Sequence, residues 1–264
     1  MQAEQEQALA SPPVHLEVAT ATFGDVREAL RAGLRDFSRR PVLSLFFGLV
    51  YALLGAALIV GLAVFDHIWI VIAAAVGFPL VAPFLAAGFY EMSRRLKRDE
   101  PFTTRDIFGA VFSQQRREFG WMSFVVLFVF WIWAYQVRLV LALTLSNQGV
   151  HSLDRLLSVL FTTSDGITFL AIGSLIGAVL ATILFSITVI SMPLLLDKRI
   201  DVVTAMITSV KTVIQSPVVM LGWGATVGAL TLLAIAPLFI GVIFIFPLLG
   251  HASWHLYERL VSEK

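Results

Sequence analysis

The chain has 264 residues, of which 58% are apolar and 14% are charged, and soluble domains usually carry about 25% charged residues. This composition therefore predicts an integral membrane protein. The absence of cysteine excludes disulfides, thiolate metal sites and cysteine nucleophiles, and a formal net charge of +1 gives no reason to expect a nucleic-acid partner.

The first 20 residues are polar and contain Pro12 and Pro13. They have none of the apolar core that is typical of a signal peptide. We therefore predict a disordered cytoplasmic tail over residues 1–20, followed by a single transmembrane domain over residues 21–264.

Apolar segments dominate the rest of the chain, and a helix needs about 20 largely apolar residues to cross a bilayer. The last apolar block, 218–256, is too long for one crossing, so we divide it into two short spans at Ala236–Pro237. The other four spans are Val42–Phe65, Ile68–Met92, Trp121–Ala142 and Ile167–Leu196. A polar outer loop, Ser146–Asp165, separates the third and fourth spans. The sequence therefore predicts an all-α protein with six transmembrane helices in three hairpins.

Basic residues are distributed unevenly between the two sides of these spans. Six crossings place both termini on one side, together with all of the nineteen Lys and Arg residues except Arg138 and Arg155. Because cytoplasmic loops carry the excess of Lys and Arg, we expect a bacterial inner-membrane protein with both termini in the cytoplasm. Arg138, near Trp131, Trp133 and Tyr135, is expected at the outer interface, where aromatic residues form a belt.

The chain contains a faint internal repeat. Residues 25–48 align with 201–224 without a gap, and seven of the 24 positions are identical, including Pro41 with Pro217. The alternative is chance similarity between apolar helices. We predict a unit made of a short amphipathic helix, a span, an outer turn and a proline-bearing span. It occurs three times, at about 25–97, 104–199 and 201–262. Thr103 and Asp106 have the spacing of a capping box that opens the middle copy.

The amphipathic helix of the first copy carries arginines along one face. An apolar face is formed by Val26, Leu30, Leu34 and Phe37, and Arg27, Arg31 and Arg35 form another at a spacing of four. With Arg94 and Arg95 at the exit of the second span, these arginines predict a basic collar that contacts anionic lipid headgroups. The third copy, Asp201–Gln215, has only Lys211 on this helix, so we expect it to pack against other helices through Val202, Met206, Val210 and Val213.

Four prolines fall inside predicted spans, namely Pro79, Pro83, Pro193 and Pro247. Proline removes a helix hydrogen bond, and the freed carbonyl must find a partner at membrane depth. The kinks either match the shapes of neighbouring helices or flare the bundle to open a cavity.

A group of polar residues near the C terminus invites a hypothesis about metal binding. His251, His255 and Glu258 share one helix face, because they are spaced by four and seven residues. Two histidines at this spacing can bind a metal or haem, with Glu91 as a further candidate ligand. The alternative is interfacial anchoring or hydrogen bonding between helices. The repeat also places Glu91 opposite His255, so the two could pair across the bundle.

Catalytic motifs are absent from the sequence, which has no phosphate loop, nucleophile elbow or zinc-protease helix. We predict no catalytic residue and no cofactor beyond the metal or haem hypothesis.

Two segments, 77–96 (GFPLVAPFLAAGFYEMSRRL) and 250–257 (GHASWHLY), carry a family resemblance, together with the pattern of 25–41. They resemble a bacterial integral-membrane family catalogued as domain of unknown function 2189, over roughly residues 20–260. Lys97 stands where an acidic residue is expected. Some members are labelled as cytochrome c oxidase proteins, but this chain lacks the several mid-membrane histidines that a haem–copper centre needs. The resemblance implies a membrane fold and no particular reaction.

These features predict a non-enzymatic protein that acts as a scaffold, as an accessory subunit of a larger membrane complex, or in contact with lipid. The expected partners are the bilayer and its anionic headgroups. One alternative is a channel or carrier for a small apolar or amphipathic solute. A third is a metal- or haem-binding membrane protein.

Overall fold

A computed structural model describes residues 16–64, 84–113, 116–146 and 153–263, and most of them are helical. The predicted all-α class is confirmed, with one small sheet in addition. The elements in chain order are β1 (Leu16–Val18), α1 (Phe23–Arg39), α2 (Pro41–Val64), α3 (described over residues 84–97), α4 (Thr104–Ser113), α5 (Arg116–Leu145), α6 (Leu153–Thr162), α7 (Ser164–Thr188), α8 (Ser191–Asp197), α9 (Val202–Gln215), α10 (Pro217–Ile235), α11 (Val242–Leu260) and β2 (Val261–Glu263).

Within the described residues, three helical segments are long and apolar enough to cross a membrane, which confirms the integral-membrane class. They are Gly120–Leu145, Ser164–Asp197 and Pro217–Ile235, and they coincide with predicted spans three, four and five. A fourth is obtained when α1 and the start of α2, bent by 104°, are taken as one broken span.

Six crossings are not confirmed by these helices. Most of the second predicted span, residues 68–83 with Pro79 and Pro83, lies outside the described residues. The sixth coincides with α11, which is not among the candidate spans. The second half of α11 is too polar for a candidate membrane span, because it contains both histidines of the His251–Glu258 face together with Glu258 and Arg259.

The stretch predicted as a polar outer loop contains a helix. Within Ser146–Asp165, α6 packs against the start of α7. Thr163 caps α7 by accepting a hydrogen bond from the N–H of Gly166 at 3.0 Å. Gly166 is required here because a Cβ would overlap the carbonyl of Val159 in α6. The loop prediction missed a short amphipathic helix that has apolar residues at helical spacing.

The two ends of the described chain lie side by side. β1 and β2 pair antiparallel, with Leu16 opposite Glu263 and Val18 opposite Val261. The sheet is extended by a hydrogen bond from the N–H of Ala19 to the carbonyl of Leu260 at 2.8 Å. The tail predicted as disordered over residues 1–20 therefore ends in an ordered strand, while residues 1–15 lie outside the described part.

Two helix breaks have the same backbone conformation. Arg40 separates α1 from α2 with φ −136° and ψ 58°, and Ser216 separates α9 from α10 with φ −138° and ψ 60°. Each is followed by a proline at the first position of the next helix. The residue before proline avoids the helical region for steric reasons, so Pro41 and Pro217 account for both breaks.

Helix α11 is held closely between α1 and α2. A Cβ on Gly33 of α1 would lie 2.7 Å from the backbone nitrogen of Ala252. A Cβ on Gly48 of α2 would overlap the carbonyl oxygen of Ile243. That carbonyl has no helical donor, because Pro247, four residues later, lacks an N–H. Glycine thus lets α2 approach the point where α11 has lost a hydrogen bond.

Helix α9 packs against other helices, as predicted. Val213 of the predicted apolar face lies in the core, and Val202 and Met206 pack against it. The face also carries the buried small and polar residues Ala205, Thr208, Ser209 and Thr212. The Ser209 hydroxyl donates to the carbonyl of Ser186 at 2.7 Å and accepts from the N–H of Ile190 at 3.1 Å. Ser209 therefore bridges two backbone groups at the α7–α8 break, which lies shortly before Pro193.

Candidate functional site

A buried histidine connects three helices. His251 of α11 is fully buried, with Nε2 3.0 Å from the hydroxyl of Ser44 in α2 and Nδ1 2.8 Å from the hydroxyl of Ser93 in α3. A neutral imidazole donates from one nitrogen and accepts at the other, and a hydroxyl can do either. Both ring nitrogens are therefore satisfied by protein groups.

Asp36 of α1 continues this chain of hydrogen bonds. Its carboxylate interacts with the Ser93 hydroxyl, and its Oδ2 lies 2.6 Å from Nε2 of His255. Ser93 therefore joins His251 to Asp36, and the donor and acceptor roles at the two hydroxyls depend on which tautomer His251 adopts.

Asp36 and His255 form a close contact between α1 and α11. The side chain of Asp36 is 9% exposed and that of His255 is 14% exposed, so both are largely withdrawn from solvent. The contact is an ion pair when His255 is protonated and a charge-assisted hydrogen bond when it is neutral.

The chain ends at the protein surface. Nδ1 of His255 lies 3.5 Å from Glu258, and the other carboxylate oxygen of Glu258 is 2.9 Å from Nζ of the exposed Lys97. Seven side chains are thus linked from the interior to the surface. We call them the histidine network: Ser44, His251, Ser93, Asp36, His255, Glu258 and Lys97.

Glu91 belongs to a separate ionic cluster. Its buried carboxylate accepts from Nε of Arg94 at 2.7 Å and from Nε of Arg95 at 2.5 Å, both on the same helix. The predicted pairing of Glu91 with His255 is wrong, because Asp36 occupies the position beside His255. Arg94 and Arg95 are partly buried against Glu91, and only the arginines of α1 are left as the exposed part of the predicted collar.

A third cluster is centred on Asp197, at the end of α8. The hydroxyl of Tyr257 donates to Asp197 at 2.9 Å, and Arg98 lies 3.7 Å from the same carboxylate. Lys198 lies 3.0 Å from Glu263 of β2. These contacts connect α3, α8, α11 and the small sheet at one end of the bundle.

Residues 70–197 match the model of a family described as "Predicted integral membrane protein (DUF2189)". The predicted family resemblance is confirmed over this segment. No curated protein and no solved structure was found to match the chain. The DUF2189 segment contains Glu91, Ser93 and Asp197, whereas Asp36 and both network histidines lie outside it.

The predicted metal ligands are distributed over two clusters. His251, His255 and Glu258 lie in the histidine network, and Glu91 pairs with arginines of α3. Among the described residues, no three His, Asp or Glu side chains are grouped so that they could hold a metal ion. The chemistry that this arrangement provides is hydrogen bonding between helices.

The exposed side of α1 combines arginines with apolar residues. Arg27, Arg31 and Arg35 are exposed, and Arg31 also lies 2.8 Å from Glu28. Of the apolar residues, Leu34 is 54% exposed. The face buried against α11 carries Ala29, Ala32, Gly33 and Asp36 instead. The predicted amphipathic helix is present. Val26 and Leu30 of its apolar face pack against the core, and small residues and one carboxylate complete the docking face.

Sequence reasoning missed Asp36, Ser44 and Ser93 as members of the site. A signal for Asp36 was available, because it lies one turn after Gly33 on the small-residue face. An acidic residue on the docking face of a helix indicates a buried partner. Ser44 and Ser93 gave no comparable signal, since isolated hydroxyls are common in membrane helices.

Proposed function

We propose that this protein is a non-enzymatic component of the bacterial inner membrane, acting as a scaffold or accessory subunit in contact with anionic lipid. The observation that carries this proposal is the histidine network. Its titratable groups bond to one another and to helix hydroxyls, an arrangement that fixes helix positions rather than presenting groups to a substrate. The proposed partners are lipid headgroups and a larger membrane complex.

The proposed topology has six crossings with both termini in the cytoplasm. The β1–β2 pairing supports an even number of crossings, because it brings the two chain ends to the same side. In addition to the three long spans and α2, α11 and the segment ending in α3 would supply the other crossings. The matching breaks at Arg40 and Ser216 support a relationship between the first and third predicted repeat units.

Single cysteines test this topology directly, because the natural chain contains none. Ser262→Cys and Ser146→Cys each place a thiol at an exposed position, on opposite proposed sides. A membrane-impermeant maleimide should label Ser146→Cys in intact spheroplasts and Ser262→Cys only after permeabilisation. Labelling of Ser262→Cys in intact spheroplasts would overturn the proposed orientation.

Lipid contact is tested in nanodiscs. We expect the thermal unfolding temperature to rise when phosphatidylglycerol replaces part of the phosphatidylcholine, because anionic headgroups attract the α1 arginines. Arg27→Gln/Arg31→Gln/Arg35→Gln should lose most of this rise, and high salt should weaken it in the natural chain. An equal rise in the variant would contradict the proposed contact.

The accessory-subunit proposal is tested by native electrophoresis of solubilised membranes. We expect the protein to migrate in a complex larger than the purified chain. Identical migration would exclude a stable complex. Elemental analysis and an optical spectrum of the purified protein test the metal and haem alternative, and a stoichiometric metal would replace the present proposal.

A further inference from the structure

A surface groove lies where the α1–α2 break faces the start of α4. Its volume is about 570 Å³. The break supplies Arg39 and Arg40, the first turns of α2 supply Val42 and Phe46, and the segment before α4 supplies Phe102 and Thr104. We call this space the break groove. It lies apart from the histidine network and from Glu91.

The polar end of the break groove is cationic. Arg39 and Arg40 are both exposed, and no ion pair of either is found among the described residues. The guanidinium of Arg40 stacks over the ring of Phe102 at 5.0 Å, which restricts its orientation. Of the described residues that line the groove, none is Asp or Glu.

Asp106 is already engaged by a neighbour in its own chain segment. It accepts hydrogen bonds from the N–H and the hydroxyl of Thr103, both at 2.7 Å, in the predicted capping box. This carboxylate therefore caps the N-terminus of α4, and Arg39 and Arg40 are the charged groups among the described residues that line the groove.

The other end of the break groove is apolar. Val42 is 83% exposed and Phe46 is 44% exposed, although both lie in the first turns of an apolar helix. From Pro41 to Phe46, α2 rises about 7.5 Å. Over this short distance the lining changes from guanidinium groups to hydrocarbon, as a bilayer changes from headgroups to acyl chains.

We propose that the break groove binds one phospholipid, with its phosphodiester on Arg39 and Arg40 and the start of an acyl chain along Val42 and Phe46. Guanidinium groups recognise phosphate oxygens through paired hydrogen bonds. Free phosphate would use the cationic end only and leave the apolar end empty. This inference rests on the proposed lipid contact and adds a discrete site to it.

Native mass spectrometry of the delipidated full chain in detergent tests the site, with phosphatidylglycerol as the titrant. We expect one tightly held lipid per chain. In Arg39→Gln/Arg40→Gln its affinity should fall about tenfold or more, because two charge-assisted contacts are lost. Arg27→Gln/Arg35→Gln is the matched control with the same change in charge, and it should change the affinity of this lipid less than about twofold.

The outcomes separate this inference from the broader proposal. Equal weakening by both double variants would indicate a diffuse collar, which contradicts the groove but not the proposed lipid contact. An unchanged affinity in Arg39→Gln/Arg40→Gln would overturn the groove. Displacement of the lipid by millimolar inorganic phosphate would show a free-phosphate site and overturn the lipid assignment.

A second measurement covers the case in which the double variant misfolds. Thr104→Cys labelled with a fluorophore places a probe in the groove of an otherwise natural chain. Phosphatidylglycerol with brominated acyl chains should quench it, and unlabelled phosphatidylglycerol should reverse the quenching. A probe at Ser262→Cys serves as the control. Equal quenching at both positions would rule out a localised lipid.

Discussion

The breaks at Arg40 and Ser216 share one backbone conformation but have different surroundings. At Ser216 the hydroxyl accepts a hydrogen bond from the N–H of Ala21 at 2.8 Å, so the segment after β1 closes this break. At Arg40 no such hydrogen bond is found within the described part of the chain, and the arginine side chain stacks on Phe102 beside the break groove. Proline sterics therefore set the backbone conformation of each break. The side chain before the proline and its neighbours decide whether the break is closed by a hydrogen bond or lies beside a groove.

The same contrast extends to the helices before the breaks. Helix α1 docks with a carboxylate, Asp36, that forms an ion pair with His255. Helix α9 docks with a hydroxyl, Ser209, that bridges two backbone groups of the α7–α8 break. Buried charges cost more to separate than buried hydroxyls, so we expect the two docking faces to respond differently to truncation.

The largest expected effect is the loss of the ion pair. Asp36→Ala removes the close partner of the partly buried His255 and should lower the free energy of unfolding by about 3–5 kcal/mol. Ser209→Ala should cost about 1–3 kcal/mol, since only neutral backbone groups lose a partner. Unfolding of both variants in mild detergent would measure the difference. Equal losses would remove the contrast between the two faces.

The next largest effect is expected at one of two glycines, Gly48 and Gly224, which occupy aligned positions after the two breaks. Gly48→Ala places a methyl group against the carbonyl of Ile243 in α11, and we expect a loss of about 1–3 kcal/mol because backbone must move. In Gly224→Ala the new methyl meets only the Phe185 ring, at 3.2 Å, and the helix propensity of alanine offsets part of the strain. We expect this change to be nearly neutral. A greater loss of unfolding free energy in Gly224→Ala than in Gly48→Ala would contradict this expectation.

A smaller effect is expected when the hydrogen bond that closes the break at Ser216 is removed. Ser216→Ala leaves the buried N–H of Ala21 without its acceptor and should cost about 1 kcal/mol. Hydrogen exchange at Ala21 should accelerate more than exchange at α11. Ser38→Ala, which removes only an exposed bond to the carbonyl of Leu34, is the control and should leave Ala21 unchanged. Unchanged exchange in Ser216→Ala would show that the closure does not depend on this hydroxyl.

The smallest effect is expected at the open break in the absence of lipid. Arg40→Gln removes the cation–π contact with Phe102, worth about 0.5–1 kcal/mol at an exposed site. Arg39→Gln, with no described partner, should be neutral in detergent without phospholipid. Thermal unfolding of the two variants would measure this difference. A larger loss in Arg39→Gln would mean that the groove is held together by a contact of Arg39.

Several features could be predicted from the sequence because they depend on local chemistry. The apolar lengths of three spans, the capping box of Thr103 and Asp106, and the family resemblance within residues 70–197 are confirmed. Helix α6 and strand β1 were missed. A short helix within a polar stretch has a weak pattern, and a strand at the end of a tail depends on a partner that lies at the other end of the chain.

The sequence by itself determined that this chain is a helical membrane protein, because hydrocarbon can be spanned only by long apolar helices whose backbone groups are paired internally. It also determined where three helices start, at Thr103, Pro41 and Pro217, since caps and prolines act within about one turn. Only the tertiary structure decided that His255 pairs with Asp36 instead of Glu91, and that α1 docks through small residues. Those partners are far apart along the chain, and the close approach of α11 to α1 and α2 at Gly33 and Gly48 selects which side chains meet.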